Sequence, residues 1–233
     1  MRLERPTTNM PDILAGSSLN PGNMMKKTQT PIESVISRRA FLGSALAVAV
    51  TGLQVNPTLA ATRGRRGGRP QVYLLRGLAN IFSTGLDEIG RKLRAAGVDA
   101  HVEGYSAWRS ALNTIVADRQ KFGPSPVVLV GHSLGANAII MLAQALEKRG
   151  IRVDYMASFA ATSPKPLPPN IKRVVNFYFS SHSWGEALTK SPGFRGKLEN
   201  RDLSRDRQVN HFNIEKQARL QDEVVSGILR TLR

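Results

Sequence analysis

The sequence predicts an α/β protein: a three-layer α/β/α sandwich on a mostly parallel sheet of about six strands. Three observations lead there. Short runs of continuous apolar and β-branched residues recur, as in "QVYLL" (71–75), "PVVLV" (126–130) and "RVVNFYF" (173–179). Continuous apolarity marks strands buried on both faces, as a parallel sheet requires. Segments with helical spacing lie between the first runs, and that alternation is the pattern of a sheet covered by helices. Finally, Gly131-His132-Ser133-Leu134-Gly135 stands directly between a buried strand and a helix.

Each element follows in order. After strand 71–75, Ile81, Leu86, Ile89 and Leu93 recur at helical spacing, and Gly97 stops the helix. "DAHVEGY" (99–105) reads as a strand. Ser106 is placed to cap the next helix, which runs to Phe122 before Gly123-Pro124. The elbow strand 126–130 leads into a helix over 134–149, with Leu134, Ala138, Leu142 and Ala145 on one face and Gly150 as its stop. "VDYMASFAA" (153–161) is the next strand. "PKPLPP" (164–169) is too proline-rich for a helix. Strands follow at 173–179 and 196–203. The last helix spans 214–232, with Ile214, Leu220, Val224 and Ile228 facing inward.

The 233 residues are enough for one domain with a sizeable core. Cysteine is absent, which excludes disulfides, thiolate metal sites and a cysteine nucleophile. The net charge is +16 and the pI about 11.0, which suggests contact with anionic material (nucleic acid, acidic lipid or acidic polymer) or, as the plainer reading, a solvated basic surface. No motif or aromatic-and-basic repeat accompanies the charge, so no nucleic-acid partner is expected.

Residues 1–61 read as an export segment. Arg38-Arg39 precede a 14-residue apolar run, Ala40 to Leu53, and Ala60-Ala61 offer a peptidase site. The run is short of the roughly 20 residues a bilayer span needs. Ser37-Arg38-Arg39-Ala40-Phe41-Leu42 closely resembles the twin-arginine consensus. The resemblance implies a bacterial protein exported in folded form to the periplasm or beyond, with that export machinery as a transient partner. Residues 1–23 are expected to lie upstream of a true start at Met24. "TRGRRGGRP" (62–70) is a Gly/Arg linker, and 71–233 form the domain. Basic residues behind an apolar run favour cytoplasmic retention, so a tethered form is the alternative. Residues 62–233 carry 27 basic and 14 acidic residues, a net charge of +13, so the basic character belongs to the domain.

The chemistry centres on Ser133. A serine at a cramped strand-to-helix turn has its hydroxyl pushed out over the sheet, and Gly131 and Gly135 leave room for that turn. The helix N-terminus behind it favours negative charge. Over residues 70–233, and most specifically at Val130-Gly131-His132-Ser133-Leu134-Gly135, the chain resembles lipases and esterases of the α/β-hydrolase superfamily. That resemblance implies a compact α/β-hydrolase fold and a nucleophile, acid and histidine in that chain order.

A serine needs a base beside it. Of the four histidines, His101 precedes the serine, His132 belongs to the elbow and His182 follows strand 173–179. His211 lies between the last strand and the last helix, where family members carry their catalytic histidine. It is the expected base, with His182 as fallback. The acid is expected to be Asp202, at the end of strand 196–203; Glu186 is the alternative and Asp206 the third choice. Related sequences often place Asp after the strand that here ends Phe159-Ala160-Ala161-Thr162-Ser163, so the usual position is unfilled. The oxyanion hole is expected from the backbone N–H groups of Leu134 and Leu78. Arg76 stands where the family often has His, and could attract an anionic substrate. Tyr105, Trp108, Phe177, Phe179 and Trp184 are candidates for an acyl pocket. No metal and no cofactor are expected.

The expected activity is that of an exported serine hydrolase cleaving small-molecule or lipid carboxylic esters through an acyl-enzyme. Two other readings stay open: a non-catalytic binding domain for anionic envelope polymer or lipid, and an acyltransferase or thioesterase.

Overall fold

The computed structural model describes residues 68–78 and 83–233. The export segment (1–61), most of the linker and the start of the first expected helix at Ile81 lie outside the described residues. All described residues fall in one unit, 58–233.

Six strands form one sheet in the order β2-β1-β3-β4-β5-β6, and every pairing is parallel. They are β1 (Gln71–Arg76), β2 (Ala100–Gly104), β3 (Val127–His132), β4 (Tyr155–Phe159), β5 (Arg173–Tyr178) and β6 (Lys197–Asp202). The four helices are α1 (Gly85–Ala95), α2 (Trp108–Phe122), α3 (Leu134–Glu147) and α4 (Ala218–Leu232). The expected three-layer architecture is present.

Side-chain alternation sorts two cores. Tyr73, Leu75, Leu129, Met156 and Val174 pack with Leu112 and Ile115 of α2 and Ile139, Leu142 and Leu146 of α3. Val72, Leu74, Val128, Val130, Ala157 and Phe177 pack with Leu86, Ile89 and Leu93 of α1 and Leu220, Val224 and Ile228 of α4. Among the described residues no helix is long and apolar enough to cross a membrane.

Several boundaries differ from expectation. Ser106 does not cap α2; it lies inside a 3₁₀ turn over Tyr105–Ala107 that leads into the helix. The last helix is broken: Ile214–Lys216 form a 3₁₀ turn, and Gln217 is extended (φ −67°, ψ 111°) before α4 starts. Hydrophobic spacing runs through that break, so periodicity alone could not reveal it. The strand expected over 153–161 narrows to 155–159. Ala160 has φ 47°, a turn conformation that ends regular pairing.

Candidate active site

β3 ends at His132, and Ser133 forms the bend into α3 with φ 56° and ψ −122°. A residue other than glycine in this region is strained by about 1–3 kcal/mol, and surrounding contacts must hold it there. They are visible. The Ser133 N–H donates to the Phe159 carbonyl of β4 at 2.9 Å, and the Ser133 carbonyl accepts from Ala136 and Asn137. A Cβ on Gly135 would lie 1.9 Å from the Leu75 carbonyl oxygen, and one on Gly131 would lie 2.4 Å from the Gly135 oxygen. The tight elbow therefore requires both glycines.

His211 is brought to the serine, with Nε2 3.0 Å from Ser133 Oγ. The segment after β5 grips this histidine twice. The His211 backbone N–H donates to Ser183 Oγ at 2.8 Å, and Nδ1 lies 3.1 Å from the Trp184 carbonyl oxygen. A carbonyl only accepts, so Nδ1 carries the proton and Nε2 is left free to accept from the serine hydroxyl. Burial lowers the His211 pKa, opposed by the Trp184 hydrogen bond. The ring is neutral at neutral pH, as a general base must be.

The expected acids are elsewhere. Asp202 does not meet His211. Its carboxylate accepts from Ser180 N (3.1 Å), Ser204 N (2.9 Å) and both serine hydroxyls (2.5 and 2.6 Å), pinning the loop after β5 to the end of β6. Those donors hold its pKa well below the usual carboxylate range. Glu186 is exposed, with its backbone engaged by Ala161 and Asn176. Asp206 pairs with Arg219 at 2.8 Å. The position a carboxylate would take beside His211 Nδ1 is filled by main chain. His182, the fallback base, bonds the Val209 carbonyl at 3.2 Å instead.

A cavity of about 280 Å³ opens over Ser133 and His211, and Leu78, Leu134, Thr162, Trp184 and Phe212 contribute to its walls. Leu78 and Leu134, the expected oxyanion donors, both line this cavity. Leu134 opens α3, where an N–H has no partner within the helix. Leu78, Trp184 and Phe212 form an exposed apolar rim. Of the five aromatics expected there, only Trp184 lines the cavity. Phe177 and Phe179 are core, Trp108 packs against the α2–α3 core, and Tyr105 sits in the turn before α2. Arg76 is not presented to a substrate either; it forms a bidentate ion pair with Asp87 of α1.

The burial of three polar residues was not expected from the sequence. Ser83 and His132 are fully buried beside the elbow. Glu215 is also fully buried, its Oε2 3.9 Å from His132 Nε2, and neither of its oxygens has a hydrogen-bond partner of normal geometry. The N–H groups of Glu215 itself and of Gly85 draw its pKa down, but burial outweighs them and pushes it up to about 7. A serine just before a helix reads as a cap and a glutamate in a helical pattern as surface, so neither residue type announced burial. Among the described residues, no group of three His, Cys, Asp or Glu could hold a metal ion.

No family model matches the chain, and neither does any curated protein. Solved structures similar to it include an esterase from Pyrobaculum calidifontis: 14% identity, 73% of this chain and 78% of that one, TM-score 0.44. The type II thioesterase of the borrelidin biosynthetic cluster has 13% identity, covers 71% and 93%, and scores 0.44. A thioesterase of the prodiginine pathway of Streptomyces coelicolor has 10% identity, covers 78% and 97%, and scores 0.42. Similarity this low carries no inference about activity.

Proposed function

We propose that the protein is a serine hydrolase acting on carboxylic esters with a short apolar acyl group. The single observation that carries this reading is the 3.0 Å contact between His211 Nε2 and Ser133 Oγ, on a serine held at positive φ. Ser133 Oγ attacks the ester carbonyl as His211 Nε2 takes its proton. The N–H groups of Leu134 and Leu78 receive the oxyanion. His211 then gives the proton to the leaving alcohol. Water, deprotonated by the same nitrogen, releases the acid from the acyl-enzyme.

The Trp184 carbonyl takes the place of a carboxylate at Nδ1. It holds the tautomer, but as a neutral dipole it stabilises the imidazolium less than a carboxylate would. Asp202 acts one step removed, by fixing the loop that presents Ser183 and Trp184. The cavity favours short acyl groups, and its apolar rim suits an open approach by a small or lipid ester. Export by the twin-arginine route is part of the proposal, as is peripheral contact of the basic domain with an anionic envelope surface. Both rest on the sequence.

The test is turnover of p-nitrophenyl butyrate by the domain from residue 62, beside Ser133→Ala. The substitution is expected to lower kcat by at least about a thousandfold. Equal rates in both proteins, or no turnover of any ester by the unaltered protein, would defeat the reading.

A further inference from the structure

A buried chain of hydrogen bonds runs beneath the serine and joins the two loops that must meet above it. The Gly77 N–H donates to Ser83 Oγ at 2.9 Å. Ser83 Oγ lies 2.8 Å from His132 Nδ1, and His132 Nε2 lies 2.8 Å from the His211 carbonyl oxygen. The two ends fix the outer links, because an amide N–H can only donate and a carbonyl can only accept. Ser83 therefore accepts from Gly77, and Nε2–H donates to the His211 carbonyl. Burial keeps the ring neutral, so Nδ1 accepts from the Ser83 hydroxyl and His132 is the Nε2–H tautomer.

We propose that His132 is a positioning residue that sets the oxyanion loop and the base at a common spacing from Ser133. One of its nitrogens governs Gly77-Leu78 through Ser83, and the other governs the backbone of His211. Because His132 directly precedes Ser133, both distances are referred to the nucleophile's own backbone. The packing agrees. A Cβ at Gly77 would lie 3.0 Å from Ser133 Cβ and 3.2 Å from Ser83 Oγ, so the oxyanion loop rests directly on the elbow. The His132 and His211 rings are 5.0 Å apart. The charged and titratable groups facing His132 are Glu215, His211 and Lys216. With His132 neutral, a protonated Glu215 completes an uncharged interior, since burial opposes charge on either member. Burial keeps the His132 pKa down to about 4.

This inference rests on the hydrolase reading, and the experiment separates the two. Ester kinetics and labelling by a fluorophosphonate probe are measured on the unaltered protein, His132→Gln, His132→Leu and Ser83→Ala, with melting temperatures alongside. The side chain of Gln can place an N–H where Nε2 sits; that of Leu cannot. His132→Leu and Ser83→Ala are expected to lose about tenfold or more in kcat at nearly constant KM, and His132→Gln to recover most of that loss. Nitrogen-15 NMR of the unaltered protein is expected to show His132 protonated at Nε2 and bare at Nδ1. A Leu variant with unaltered kcat, a Gln variant as slow as Leu, or an Nδ1–H tautomer would overturn the positioning role while leaving the hydrolase reading intact. Absence of labelling in the unaltered protein would overturn the hydrolase reading and the positioning role with it.

Discussion

At Ser133 a strained backbone and two glycines hold a hydroxyl clear of the sheet at hydrogen-bond distance from His211. The elbow was legible because its requirements are local: residue types at fixed spacing between a strand and a helix. The pairing of His211 with Ser133 was legible from chain order. The partner of His211 Nδ1 was not, because a backbone carbonyl has no sequence signature; every residue carries one. Reading the sequence for a carboxylate led to Asp202, whose oxygens are used by Ser180 and Ser204. Glu186→Gln is therefore expected to keep kcat within about threefold, whereas Asp202→Asn, which loosens the loop that presents Ser183 and Trp184, is expected to lower it by up to about tenfold. Neither should move the acid limb of the kcat/KM profile, which should fall below pH 6.5 because burial lowers the His211 pKa. A tenfold loss in Glu186→Gln at unaltered stability, or a displaced acid limb in Asp202→Asn, would show that a carboxylate reaches the imidazole during turnover.

At the scale of elements, the strand-to-helix unit β3–α3 is packed through backbone, not side chains. Gly135 lies against the Leu75 and Arg76 carbonyls of β1, which lets α3 start directly above the sheet. Gly135→Ala must push these elements apart and should cost at least about 1–3 kcal/mol, read as a lower urea midpoint with esterase activity reduced in parallel. The inner strands β1, β3, β4 and β5 were well marked in the sequence because each is a largely apolar run. The two edge strands differ: β2 alternates between buried and exposed positions, and β6 is half exposed and rich in charge, held by pairing with β5 and by ion pairs from Arg173, Lys197 and Arg201 to Glu199. The segment before α4 has helical hydrophobic spacing but forms a 3₁₀ turn. Its Ile214 is buried like the α4 positions, yet Glu215 beside it is buried as well, which a regular amphipathic helix would not produce.

For the whole molecule, Glu215 and His132 give stability an unusual dependence on pH. A carboxyl whose folded pKa stands near 7, above its ordinary 4.5, binds a proton more tightly folded than unfolded. Its contribution is full below about pH 4.5 and is lost as pH rises through 7. His132, with its pKa lowered to about 4, acts in the opposite sense and costs stability as pH falls below 6.5. Glu215→Gln should thus leave stability nearly unchanged at pH 5 and raise it at pH 8, by roughly 1–3 kcal/mol in urea unfolding. A variant less stable at pH 8 would mean that the charged carboxylate is matched in the folded protein. All of this surrounds one claim, that Ser133 is a nucleophile activated by His211. The most direct measurement is the intact and peptide mass of the domain after exposure to a fluorophosphonate. A single adduct on Ser133, abolished in Ser133→Ala and strongly slowed in His211→Ala, is the predicted result. An unchanged mass, or labelling of Ser133 at the same rate without His211, would contradict it.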